Sequence, residues 1–114
     1  MSAITTHVLD TARGRPASGV PVTLEAAETG GGWRTLGRGL TDADGRLREL
    51  LPPGRALTAG VFRLTFDTAA YFAAQGADSF YPFVQIAFAV RDAAEHHHVP
   101  LLLSPYGYST YRGS

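Results

Sequence analysis

Apolar and polar residues alternate with a period of two along most of the chain, the pattern of strands buried on one face. Ile4, Thr6 and Val8 alternate with Thr5, His7 and Leu9, which predicts a first strand ending at Asp10. Gly14, Pro16, Ser18 and Gly19 mark a turn, after which Val20, Val22, Leu24 and Ala26 share one face of a second strand. Gly30, Gly31 and Gly32 predict a hairpin tip, followed by a third strand over 33–40. Asp42-Ala43-Asp44-Gly45 reads as a further turn, and residues 46–50 resume an extended segment. Pro52, Pro53 and Gly54 interrupt the chain before residues 61–67, where Phe62, Leu64 and Phe66 share a face.

The period then changes once. Residues 68–76 are rich in alanine, with Thr68 as a candidate N-cap and Gly76 as a stop, and they predict the single helix, of about two turns. Alternation returns over 83–91, with Val84, Ile86, Phe88 and Val90 on the apolar face, and again with His97, Val99, Leu101 and Leu103. A tyrosine-rich strand over 106–112 ends the series. Seven or eight short strands with frequent turns predict an all-β sandwich, a single domain over residues 1–114.

Composition narrows the function. The chain is 45 % hydrophobic and only 18 % charged, against about 25 % charged on average, which favours a folded globule over disorder. Ten basic residues balance ten acidic ones, leaving no net field to gather nucleic acid or an anionic membrane surface. With no cysteine, disulfides, thiol catalysis and thiolate zinc sites are excluded. No apolar run approaches the roughly 20 residues of a membrane helix. Residues 1–10 lack the basic start and apolar stretch of a signal peptide, and Tyr111-Arg112-Gly113-Ser114 is no peroxisomal address. A soluble, cytoplasmic protein is expected.

The candidate chemistry lies with the histidines. Alternation places His96 and His98 on one strand face and His97 on the other. A lone histidine in a strand is most often structural, but two imidazoles at i and i+2 can converge on one ligand, either a metal or a substrate with its water. Joined by His7, they would offer zinc three nitrogen ligands, although no carboxylate stands at a typical ligand spacing. The acidic turn at Asp42 and Asp44 fails as a calcium loop, since the twelfth position counted from Asp42 is Pro53. No phosphate-cradling glycine loop is present, and neither Ser104 nor Ser109 sits in a nucleophile elbow. Tyr106 and Tyr108 project to one face of a regular strand and Tyr111 to the other, with hydroxyls suited to a wet cavity or an interface.

Three stretches carry a resemblance: Thr6-His7-Val8-Leu9-Asp10-Thr11, the Asp44-Gly45-Arg46 turn, and the run from His98 to Ser114 that ends Tyr-Arg-Gly-Ser. In chain order they resemble the transthyretin-like 5-hydroxyisourate hydrolases of purine catabolism, and the terminal tetrapeptide is the most specific part. The resemblance implies a sandwich of two four-stranded sheets with one short helix. It also implies a homotetramer, a dimer of dimers with active sites in the channel between dimers, and the first strand beside the seventh, bringing His7 near His98. The site residues it implies are His7, Arg46, His98, Tyr111, Arg112, Gly113 and Ser114, with no metal and no cofactor. The chain departs from the family at His97, where relatives often carry tyrosine; that residue should face away from His98.

The implied reaction is hydrolysis of a ring amide. An imidazole can take a proton from water near neutral pH, and the resemblance offers His98 for this with His7 orienting, or the reverse. Arg46 suits a purine-like ligand and a developing oxyanion. Tyr111 can stack on a flat heterocycle. The Ser114 carboxylate is a further acceptor, and Arg112 either balances it or pairs at a subunit interface. Two rival classes stand beside the enzyme: a carrier of small ligands using the same channel without chemistry, and a metallohydrolase built on His7, His96 and His98.

Overall fold

A computed structural model describes residues 3–114; Met1 and Ser2, the first positions of the segment read as lacking a leader, lie outside them. The strands are β1 (Ile4–Asp10), β2 (Arg15–Pro16), β3 (Pro21–Ala27), β4 (Trp33–Leu40), β5 (Arg46–Leu47), β6 (Gly60–Phe66), β7 (Val84–Val90), β8 (His97–Ser104) and β9 (Gly107–Thr110). One helix, α1 (Thr68–Ala73), precedes β7.

The strands form two sheets. One runs β4-β3-β6-β7, antiparallel throughout. The other runs β2-β1-β8-β9, with β5 also on β1. β1 gives one edge to β8, in parallel, from Ile4 opposite His97 to Asp10 opposite Leu103. Its other edge is shared by two short pieces, β5 against Thr6 and His7 and β2 against Leu9 and Asp10. End to end these act as one strand, so the sheet is four strands wide although it contains five segments.

Period-two alternation sends Ile4, Val8, Leu101 and Leu103 from this sheet, and Val22, Leu24, Leu64 and Phe66 from the other, into a common core. His97 follows the same rule: it faces inward, 4 % exposed, and its Nδ1 has no hydrogen-bond partner among the described residues. Asp10, also buried, accepts the Tyr71 hydroxyl at 2.7 Å and the Arg13 amide at 3.0 Å, which joins the helix to the end of β1. Burial, then Asp10 itself, pushes the Tyr71 hydroxyl pKa up.

Several details differ from the sequence reading, β2 at Arg15–Pro16 in a stretch read as a turn among them. The extended segment at 46–50 pairs only through Arg46 and Leu47. The last strand stops at Thr110, and Gly113 then returns to the sheet through a single bridge to His98. The helix is capped by Asp67 rather than Thr68: the Asp67 carboxylate accepts the Ala70 amide at 3.1 Å, while the Thr68 hydroxyl is buried and directed to the Tyr81 carbonyl at 3.5 Å. Gly76 does end the helical turn, with φ +68 and the paired bonds Ala77 N to Phe72 O and Gly76 N to Ala73 O, both 3.0 Å, of a Schellman closure.

Candidate active site on the outer face of the first sheet

The residues that alternation turns away from the core collect at the β1–β8 seam. Thr5 and His7 project from β1 and His98 from β8, with Thr5 and His98 as register partners. The Thr5 hydroxyl lies 2.8 Å from His98 Nδ1 and 2.8 Å from His96 Nε2. The two imidazoles stand on either side of it, nearly parallel, with ring centroids 6.4 Å apart.

Arg46 reaches the same face because β5 pairs antiparallel with β1, His7 directly opposite Arg46. The turn before it is built for that delivery. One oxygen of the Asp42 carboxylate accepts the amides of Asp44 at 2.9 Å and Arg46 at 3.0 Å. The Arg46 amide bond, foremost, holds the Asp42 carboxyl below the usual carboxylate range. Gly45 turns the chain with φ +76, and its carbonyl accepts the Val8 amide at 2.7 Å. Asp44 then presents its carbonyl to His7 Nε2 at 2.9 Å. A carbonyl only accepts, so His7 carries a proton on Nε2.

A cavity of ≈ 200 Å³ is lined by Thr5, Thr6, Arg46, Arg48, His96, His98 and Ser114. His98 is half-buried beside it. Desolvation, followed by the charges of Arg46, His7 and His96, holds the His98 pKa below the ordinary imidazole value of 6.5. His98 is therefore a neutral imidazole at physiological pH. Among the described residues, no three His, Cys, Asp or Glu side chains are grouped to hold a metal ion. His96 and His98 each turn one ring nitrogen to Thr5 instead.

The C-terminal residues divide between two places. Ser114 lines this cavity, and the Gly113 amide donates to the His98 carbonyl at 2.9 Å. A Cβ on Gly113 would fall 2.6 Å from His98 Cδ2 and 3.1 Å from Pro100 Cγ, so glycine is what lets the backbone lie against the imidazole. Tyr111 and Arg112 line a neighbouring cavity of ≈ 220 Å³ beside β7. Tyr111 is 59 % exposed. The Arg112 guanidinium reaches the His96 carbonyl at 3.4 Å and Glu95 at 3.5 Å. His7 is outside the lining of the ≈ 200 Å³ cavity, though its charge bears on His98. Thr5 and Arg48 were not singled out from sequence; Thr5 shares the His7 face, but its position opposite His98 becomes visible only once β1 and β8 are known to pair.

A larger cavity, ≈ 530 Å³, lies elsewhere, between the β2 region and α1. It contains Arg13 and Arg15 but no imidazole or carboxylate to move a proton, so size does not identify the site.

A family model described as "HIUase/Transthyretin family" matches residues 4–113. The 5-hydroxyisourate hydrolase of Salmonella dublin is 46 % identical over 111 residues, spanning 97 % of this chain and 80 % of that protein. Among solved structures, 5-hydroxyisourate hydrolase from Klebsiella pneumoniae superposes with TM-score 0.83 at 40 % identity, covering 97 % of this chain and 98 % of the other. Sea bream transthyretin in complex with thyroxine superposes with TM-score 0.91 at 32 % identity, covering 98 % and 95 %.

Proposed function

This chain belongs to the HIUase/Transthyretin family, and on that premise we propose that residues 1–114 act as a single 5-hydroxyisourate hydrolase domain in urate degradation. Its product is 2-oxo-4-hydroxy-4-carboxy-5-ureidoimidazoline. The observation that carries the reading is a neutral imidazole, His98, sharing one small cavity with the fixed cation of Arg46. Backbone likeness alone cannot separate enzyme from carrier, because the thyroxine complex superposes at least as well as the hydrolase. The polar lining does separate them: a carrier of apolar ligands has no use for two imidazoles and two guanidinium groups in ≈ 200 Å³.

In the proposed mechanism His98 takes a proton from water through Nε2, the nitrogen not facing Thr5. The oxygen attacks the ring carbonyl, and the Arg46 guanidinium stabilises the oxyanion that forms. As the C–N bond breaks, the imidazolium returns its proton to the departing nitrogen, and the new carboxylic acid releases water's other proton to solvent, leaving the opened carboxylate. His7 is the weaker candidate for base, since its Nε2 is bound to the Asp44 carbonyl and it does not line the cavity. It orients the turn that carries Arg46. Ser114 and Gly113 wall the site, and Tyr111 and Arg112 approach the substrate from the neighbouring cavity. No metal or cofactor takes part.

Assembly into a cytoplasmic homotetramer, a dimer of dimers, belongs to the same proposal. The large apolar side chains left exposed, Phe80, Tyr106, Tyr108 and Tyr111 among them, support an assembly that covers them. Sedimentation of the purified protein tests it.

The deciding experiment follows the ultraviolet decay of freshly made 5-hydroxyisourate with and without protein, in the presence of a chelator. Acceleration that survives chelation supports the reading; none from folded protein overturns it and leaves a carrier. The pH dependence adds a second check. A lowered His98 pKa keeps the base free down to pH values below 6.5, so the acid limb of kcat/KM is expected below that value. An acid limb above it would point to another base.

A further inference from the structure

Resting on the assignment of His98 as base, we propose that Thr5 is a positioning residue that sets the tautomer of His98 through a hydroxyl shared with His96. The Thr5 side chain is 3 % exposed, and among the described residues its Oγ1 has two hydrogen-bond partners, His98 Nδ1 and His96 Nε2, each at 2.8 Å. A hydroxyl has one proton to donate and lone pairs to accept. With the hydroxyl's own proton given to one of these two imidazoles, both contacts are satisfied in two ways while the imidazoles are neutral. In the first, Thr5 donates to His96 Nε2 and accepts from His98 Nδ1–H, leaving the lone pair on His98 Nε2 open to water. In the second the bonds run in reverse, His98 Nε2 carries the proton, and the base is gone.

The surroundings favour the first arrangement. Arg46 and Arg48, lining the same cavity, offer only donors and so favour a lone pair on His98 Nε2, with Ser114 bringing an acceptor to the same lining. His96 is exposed, and its other nitrogen, Nδ1, is free to bond water. The orientation of a catalytic histidine is ordinarily fixed by what its second nitrogen bonds. Here that partner is a hydroxyl whose own direction is set by a second imidazole.

The device makes the base sensitive to His96. An imidazolium donates from both nitrogens, so a protonated His96 must donate to Thr5. The Thr5 proton then turns to His98 Nδ1 and forces the second arrangement, so protonating His96 silences His98 without charging it. The other ionisable groups around the pair are His7 on β1, Arg46 and Arg48 across the cavity, Ser114, and Arg112 with Glu95 at the His96 backbone. Of these, the further imidazole, His7, has its Nε2 tied to the Asp44 carbonyl.

The test combines ring ¹⁵N spectroscopy with kinetics on the full chain. In the wild type at neutral pH, His98 is expected as the Nδ1–H tautomer. Thr5→Val, nearly isosteric, should release it into a mixture and lower kcat about 10–100-fold with KM little changed, and Thr5→Ser should restore both signals. His96→Gln keeps an acceptor for the Thr5 hydroxyl but cannot titrate. Its acid limb of log kcat/KM should fall with a slope of about one, where the wild type approaches about two. A wild-type His98 carrying its proton on Nε2, or a Thr5→Val protein with unaltered tautomer and kcat, overturns the proposal. The spectra decide it even if 5-hydroxyisourate proves not to be the substrate.

Discussion

His98→Ala is expected to lower kcat/KM by about 10²–10⁴-fold, the usual contribution of a positioned general base, equivalent to roughly 3–5 kcal/mol of barrier. No neighbour is placed to take over. His96 meets the substrate cavity but is bound to Thr5 through Nε2, and His7 is held by the Asp44 carbonyl outside the lining. The fold should persist. The bond that returns the C-terminal segment to the sheet is made by the His98 carbonyl, which alanine keeps. Steady-state kinetics alongside circular dichroism and sedimentation separate the outcomes. Activity within tenfold of wild type would move the base elsewhere, and loss of folding or assembly would make His98 structural.

The second large effect is expected at a residue that carries no side chain, in the turn between Asp44 and Arg46. Gly45→Ala asks an L-residue to hold φ +76, at a cost of about 1–2 kcal/mol. The added Cβ would also collide with the Val8 carbonyl oxygen, and it would sit 3.1 Å from Pro16 Cβ and 3.2 Å from the Ala17 amide nitrogen. That carbonyl already accepts the Ala17 amide at 2.9 Å, so it cannot withdraw freely. Together these should cost about 2–4 kcal/mol. The same turn delivers Arg46 and the Asp44 carbonyl, so activity should fall in native conditions as well as the denaturation midpoint. Gly30→Ala is the informative control: its φ is +90, but nothing lies within 4 Å of the added methyl. It should lose the backbone contribution alone and keep full kcat/KM. Equal effects at both positions would show that the close approach at Gly45 does not matter.

Much of the fold was legible because alternation is a local property. β1 and the inward faces of β3, β6 and β8 follow directly from period two, and even the inward turn of His97 does, whereas β4 was placed by the glycine tip before it. β2 was hidden because Arg15 and Pro16 sit among the turn residues between Gly14 and Gly19, and two paired residues leave no periodic trace. The cap shifted from Thr68 to Asp67 because either side chain can serve, and tertiary burial of Thr68 decided between them. Site residues are legible to a different degree. Periodicity assigns each side chain a face but says nothing about which strand lies next to which, so the approach of β1 to β8 came from family resemblance alone. Thr5 illustrates the limit: a threonine in a strand is unremarkable until a histidine is found opposite it.

With His98 as the proposed base, the parallel seam between β1 and β8 also bears on when activity is expected during the protein's own synthesis. Thr5 and His98 are 93 positions apart in the chain and meet directly across that seam. Contacts of such high sequence separation form late and slowly, because the intervening chain must be ordered first. A nascent chain emerging from the ribosome carries Thr5, His7 and Arg46 long before it carries a base. On the proposed mechanism no intermediate length is expected to be active, and chemistry waits until β8 pairs beside β1 and Gly113 bonds the His98 carbonyl.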